Sequence, residues 1–167
     1  MIQGKEIHVL DRNAEFRGVP PEKLMENAGK GIAEFITQEL KLKQKNILFF
    51  CGLGNNGGDG FVAARCLSKK YNVTVFLLGQ KKDIKTDISK NNFNKLKVRI
   101  FDIKNIDIFE KLISKNDIII DSMLGIGLSG KLRDPYKKIV KKINLKKDKL
   151  ILSVDVPTGL GTDISIK

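Results

Sequence analysis

The chain has 167 residues, 41% hydrophobic and 30% charged, which fits one globular domain that can bury its own core without a disulfide or a metal. No run of 18 apolar residues offers a membrane-spanning helix, and two cysteines without a CxxC plus a single histidine exclude a disulfide framework, a zinc cluster and a Ser-His-Asp hydrolase. The net charge of +12 raises nucleic-acid binding, but 26 Lys against 5 Arg, spread along the chain without interleaved aromatics, reads as a solvated surface with a weak general attraction for anions.

Two helices are expected first, over Ile7–Arg17 and Pro21–Leu40. The second carries Leu24, Ala28, Ile32, Phe35 and Ile36 at helical spacing. Asn46–Cys51 (NILFFC) is a short apolar run before a glycine turn, and reads as a buried strand. A helix follows over Gly58–Lys70, then a strand over Val73–Leu78 closed by Gly79. Thr86–Leu96 reads as a helix with Thr86 at its N-cap. Val98–Phe101 is a third strand, Ile106–Ser114 a helix and Asp117–Ile120 a fourth strand. Asp134 and Pro135 suit the N-cap and first position of a helix over Pro135–Ile143. Leu150–Val156 is a fifth strand, stopped by Pro157. Strands alternating with helices predict a Rossmann-like three-layer α/β/α sandwich with a mainly parallel sheet and two N-terminal helices. Ligands then bind beyond the carboxyl ends of the strands, at the switch point.

Three segments just after predicted strands concentrate Gly, Asn, Asp, Ser and Thr. The first is Cys51–Gly60 (CGLGNNGGDG), which satisfies G-x-G-x-x-G through Gly52, Gly54 and Gly57. Glycine lets the backbone approach a phosphate, whose charge a helix N-terminus favours. The acidic residue that a dinucleotide fold places after its second strand is missing from Phe76–Gln80, which disfavours a hydride-transferring dehydrogenase. No G-K-[ST] follows, which disfavours a P-loop NTPase. Asn55, Asn56 and Asp59 add polar groups that a plain strand-to-helix turn does not need.

The second segment is Asp121–Lys131, where Asp121 closes an apolar strand and an unpaired carboxylate would be costly. The third is Ser153–Leu160, with Asp155 inside an apolar strand and a Thr158–Gly159 turn. A carboxylate at Asp155 is placed for general acid–base work if burial raises its pKa. Local capping of backbone amides is the plainer reading of both aspartates. An amide oxygen, a carboxylate and a hydroxyl from three loops form a hard-oxygen set, suited to an alkali or alkaline-earth ion rather than zinc. His8 reads as an ordinary helix residue, and Cys51 and Cys66 as small core hydrophobes.

The stretches LMENAG (24–29), CGLGNNGGDGFVAARCL (51–67), DSMLGIGLSGKLRDP (121–135) and SVDVPTGL (153–160) together resemble the YjeF N-terminal family, the NAD(P)H-hydrate epimerases. The resemblance runs over nearly the whole chain. It implies epimerisation of NADHX and NADPHX, cofactors hydrated at C6 of the nicotinamide ring, in a homodimer. It implies functional coupling to a separate ADP- or ATP-dependent dehydratase that uses the S form. By position, Asn55, Asn56, Gly57, Gly58 and Asp59 would line the substrate site. So would Gly125, Ile126, Gly127, Leu128, Ser129, Gly130 and Lys131, and also Asp155. The resemblance also implies one potassium ion per subunit, held by Asn56, Asp121 and Thr158. Asp155 is the expected catalytic acid and base.

Thr158 stands where the family usually has Ser, and both offer a hydroxyl. Related domains continue past the VDVPTG turn with further strands, so a single domain over 1–167 is expected either to be a fragment or to carry a shorter sheet. The N-terminus has Glu6 and Asp11 and no apolar h-region, so no secretory signal is expected and the location expected is cytoplasmic. The rival function is a non-catalytic scaffold or RNA-binding module of the same family. The presence of Asn56, Asp59, Asp121 and Asp155 together favours the enzyme.

Overall fold

The computed structural model describes residue 9 and residues 12–38, 45–127 and 130–160. Its strands are β1 (Asn46–Cys51), β2 (Asn72–Leu77), β3 (Arg99–Asp102), β4 (Ile118–Ser122) and β5 (Leu150–Ser153). Its helices are α1 (Pro21–Gln38), α2 (Asn55–Leu67), α3 (Asp87–Asn94), α4 (Phe109–Lys115) and α5 (Tyr136–Asn144). The five strands pair in parallel in the order β3-β2-β1-β4-β5. The chain therefore reverses direction across the sheet between β1 and β4, which opens a crevice at their carboxyl ends.

β1 is buried from Ile47 to Cys51 because helices cover both faces of the sheet. Its alternate residues feed two cores. Ile47, Phe49 and Cys51 join Val73, Val75, Ile120 and the apolar sides of α1 and α2. Leu48 and Phe50 join Phe76, Ile119 and the inward residues of α4 and α5. Phe50 and Phe76 pack with ring centroids 5.5 Å apart, and Phe61 on α2 meets Phe93 edge-on at 5.3 Å. The three layers expected from the alternating pattern are present.

Several boundaries differ from the sequence reading. α2 starts at Asn55, not Gly58, so the NNGG stretch is the first turn of a helix rather than a loop before one. β5 stops at Ser153, so Asp155 lies beyond the strand. β4 runs on through Asp121 and Ser122, because both pair with β1. Residues 103–108 form a 3-10 turn ahead of α4, so the expected helix over Ile106–Ser114 splits in two. Pro135, not Asp134, is the N-cap of α5, because its carbonyl accepts the first helical bond from Ile139 at 3.1 Å. Thr86 caps α3 as expected, accepting from the Ser89 N–H at 3.3 Å. Residues 12–16 are helical, while Ile7, His8, Leu10 and Asp11 of the first expected helix lie outside the described residues, as do residues 39 and 40.

α1 buries Ile36 as expected and packs Ile32 against the core, while Met25, Gly29 and Ala33 are buried one residue along from Leu24, Ala28 and Ile32. Ala28 and Phe35 are exposed. Gly29 sets the helix spacing: a Cβ there would meet Val62 and the Asp59 carbonyl of α2. Arg65 Nη2 of α2 donates to Glu26 of α1 at 2.6 Å, which pins the same pair of helices.

Close approach also governs the start of α2. A Cβ on Gly57 would overlap the backbone carbonyl of Gly52, which cannot swing aside. Gly57→Ala is expected to lower stability by about 1–3 kcal/mol through that overlap, despite the better helix propensity of Ala. Gly31 on α1 faces open space. Gly31→Ala is expected to raise stability by up to about 1 kcal/mol. Urea denaturation of the two variants checks both signs.

Candidate active site

The C-terminal ends of β1, β4 and β5 lie side by side, and the three polar segments meet there. The first wall is the turn after β1. The Gly52 N–H donates to the Ser122 carbonyl at 3.0 Å, and a Cβ at Gly52 would overlap the Met123 carbonyl. The loops after β1 and β4 thus touch backbone to backbone, which only glycine permits at this position.

α2 opens directly from that turn. Gly54 at its N-cap has no side chain with which to cap, and no acidic residue occupies the first turn. The first-turn N–H groups keep the positive end of the helix for a ligand. Asn55 is exposed, while Asn56 and Asp59 are half-buried. Asn56 is held through its backbone, whose carbonyl accepts from Ser122 Oγ at 2.5 Å. Both polar atoms of its side chain are buried without a hydrogen-bond partner. A buried amide left unpaired on both sides costs free energy, so it is a place where a ligand is owed.

Asp121 is 6% exposed and is met by donors from three directions. Its Oδ1 accepts from Thr158 Oγ1 at 2.7 Å and from the Met123 N–H at 3.2 Å. Its Oδ2 accepts from the Thr158 N–H at 2.8 Å and from Ser153 Oγ at 3.5 Å. Thr158 is 5% exposed and accepts in turn from the Leu124 N–H at 3.1 Å. The Pro157–Leu160 turn presents it: Leu160 N–H donates to the Pro157 carbonyl at 2.9 Å, and Gly159 takes φ +97°. Asp121 caps one local amide, that of Met123, and its other donors come from the third segment, Ser153 and Thr158.

Asp155 corrects its expectation. Because β5 ends two residues earlier, Asp155 is exposed rather than buried in a strand, with φ 67° in the left-handed region that aspartate tolerates. Its Oδ2 accepts from the Ile126 N–H at 2.8 Å. Gly125 lies against the same carboxylate, and a Cβ there would collide with Oδ2. The carboxylate therefore ties the third segment to the second. Gly127, Gly130 and Lys131 are exposed on the same connection, and Leu128 and Ser129 lie outside the described residues.

Three contributors fall outside the residues expected for the site. Ser122 positions Asn56, Ser153 reaches Asp121, and Thr86 Oγ1 lies 2.9 Å from Asn55 Oδ1. Ser122 and Ser153 sit beside the aspartates in the motifs, but Thr86 carries only a capping signal. Cys51 borders the site, and burial pushes its thiol well up from its ordinary value, with Asp121 adding to the shift. It stays protonated at neutral pH and acts as a core residue. Cys66 is half-buried and free.

The chain belongs to the family described as YjeF-related protein N-terminus, which it matches over residues 21–165. It is 44% identical to the bifunctional NAD(P)H-hydrate repair enzyme Nnr of Methanocaldococcus jannaschii, over 99% of this chain and 36% of that protein. It is 38% identical to the NAD(P)H-hydrate epimerase of Nitrosopumilus maritimus, over 93% of this chain and 73% of that one. The crystal structure of the yeast protein YNL200c shares the fold with a TM-score of 0.80 at 28% identity, covering 95% of this chain and 70% of that chain. The chain spans about a third of the length of the bifunctional relatives.

The buried carboxylate makes Thr158 a sensitive position. Thr158→Val keeps the shape but leaves Asp121 Oδ1 and the Leu124 N–H short of a partner. The variant is expected to lose about 1.5–3 kcal/mol, the worth of a hydrogen bond to a charged group. Thr158→Ser retains the hydroxyl and is expected to lose less than half of that, as read from urea midpoints of the three proteins.

Proposed function

We propose that this chain epimerises NADHX and NADPHX, interconverting the R and S forms at the hydrated carbon of the nicotinamide ring. The observation that carries the reading is the exposed Asp155 carboxylate, held on the Ile126 N–H at the same carboxyl end of the sheet from which the uncapped α2 opens. The names of the Methanocaldococcus and Nitrosopumilus relatives support the same chemistry.

In this reading the start of α2, Asn55 to Asp59, and the 125–131 connection line the dinucleotide, with the first-turn N–H groups facing its phosphates. Asp155 gives a proton to the C6 hydroxyl, which leaves as water while the ring nitrogen's lone pair forms the C6=N bond of an iminium. Water then adds to the opposite face of C6 and returns a proton to Asp155. Atoms and charge balance, and the acid is restored.

Asn56, Asp121 and Thr158 are our candidates to hold one potassium ion per subunit. The unpaired Asn56 amide and the oxygen-rich donor set fit such an ion. When bound, the ion would supply fixed positive charge beside the Asp121 carboxylate. Thr158 can free a lone pair by turning its hydroxyl hydrogen from Asp121 to the Leu124 carbonyl, 3.2 Å away.

The wider assignments are proposals of the same kind. Residues 1–167 form one domain that works as a homodimer, and the exposed Phe35 and Ala28 of α1 suit the face for a second copy. An ADP- or ATP-dependent dehydratase takes up the S form. A cytoplasmic location is in keeping with two free cysteines. Among the described residues no helix is long and apolar enough to cross a membrane.

The test is chromatographic. R-NADPHX is mixed with the purified chain in potassium buffer, and the R to S ratio is followed against a blank. Faster equilibration is expected. Asp155→Asn keeps an acceptor for the Ile126 N–H, so it is expected to fold normally and lose about 10²–10⁴-fold in rate. Undiminished turnover in that variant overturns the role of Asp155, and an inert wild-type chain overturns the activity.

A further inference from the structure

The glycine turn after β1 is held from outside by a segment that so far enters the site only through Thr86. Three consecutive residues of the turn, Leu53, Gly54 and Asn55, are each gripped by one residue of the stretch that starts α3. The Leu53 carbonyl accepts from the Lys85 N–H at 2.8 Å. The Gly54 carbonyl accepts from Ser89 Oγ at 3.2 Å. The Asn55 amide oxygen accepts from Thr86 Oγ1 at 2.9 Å. Two glycines make room for this docking: a Cβ on Gly79 would meet the Leu53 side chain, and a Cβ on Gly58 would meet Ser89 and Met25.

The gripping segment is itself anchored. Ser89 is fully buried, and Asn92 is 4% exposed. Asn92 Nδ2 donates to the Ile88 carbonyl at 3.2 Å and lies 3.3 Å from Met25 Sδ of α1. Phe93 rests edge-on against Phe61 of α2. α3 is therefore fixed to both helices that frame the turn.

We infer that Thr86 and Ser89 are positioning residues for the substrate site, and that Thr86 sets which group Asn55 presents to the ligand. The chemistry follows from the proton count. The Thr86 hydroxyl has one proton, and Ser89 Oγ also lies within 2.9 Å of it. When that proton goes to the Asn55 oxygen, the amide NH₂ is the part of Asn55 left to offer, and a donor suits a phosphate or carboxamide oxygen. Without the hydroxyl the amide is free to turn and to present its oxygen, an acceptor, to the ligand instead. The Ser89 bond meanwhile holds the Gly54 carbonyl, which also accepts the first N–H of α2 from Gly58 at 3.1 Å. Thr86 has a structural duty as the cap of α3, so its two duties have to be separated by experiment.

This inference rests on the proposal that the α2 turn binds the dinucleotide. The variants are Thr86→Val, Thr86→Ser and Ser89→Ala in the whole chain. Two readouts are taken: KM and kcat for R-NADPHX, and amide hydrogen exchange over residues 53–58. Thr86→Val is expected to raise KM by about threefold to tenfold with kcat within about twofold, the size of one lost neutral hydrogen bond. Thr86→Ser is expected to restore KM, and Ser89→Ala to speed exchange at residues 53–58. An unchanged KM in Thr86→Val, or a Thr86→Ser that is no better than Val, overturns the inference. So does unchanged exchange at residues 53–58 in Ser89→Ala. A wild-type chain without epimerase activity fails the functional proposal instead, and the exchange data still decide whether α3 holds the turn.

Discussion

A carboxylate buried at the end of a parallel strand has to be met by donors, and Asp121 is that group here. Nothing within its own strand can satisfy it, because the backbone of β4 is engaged with β1 and β5. The donors come from the Pro157–Leu160 turn, from Ser153 and from the Met123 N–H. Meeting the charge therefore draws the loop after β5 onto the end of β4. Removing one partner of such a group costs the full desolvation penalty of what remains. That asymmetry makes the Asp121–Thr158 contact the fastening of the crevice.

Glycine completes the arrangement by letting backbones meet. Gly52 lies against the Met123 carbonyl and Gly57 against Gly52, so the ends of β1 and β4 and the start of α2 are stacked without side chains between them. Gly60 brings α2 onto Ser122, whose hydroxyl then reaches the Asn56 carbonyl. Asn56 is consequently placed by its backbone, and its side chain is released from local bonding. Structure and chemistry divide within single residues: the main chain holds the fold, and the side chain stays available.

The parallel sheet is legible in the sequence because runs such as Ile47–Cys51 are apolar at every position, as burial on both faces demands. The crevice is legible because three polar segments each follow a strand. Other features depend on tertiary context. The NNGGD stretch is composed like a loop, since three glycines within six residues oppose helix propensity. It is helical because a Cβ at Gly57 or Gly60 would strike a neighbour, so close packing outweighs propensity. Val154–Val156 has strand composition but lies past the end of β5, because the chain turns there to deliver Thr158 to Asp121. The first half of the α1 stripe is off by one residue because Gly29, which no hydrophobic pattern marks, is the contact with α2, while Ile36 is buried as its spacing predicts. The contact of Thr86 with Asn55 spans 31 residues, and its only local trace is a helix cap.

The central claim is that the hydrated dinucleotide sits at the ends of β1, β4 and β5, over the first turn of α2. The most direct measurement is a backbone amide NMR titration of the chain with NADPHX. The account predicts saturating shifts at Asn55–Gly58, Leu124–Gly127 and Asp155–Gly159, with the strands beneath them unmoved. Shifts centred instead on Lys45, Asn46, Lys70 and Tyr71, at the opposite end of the sheet, would contradict it.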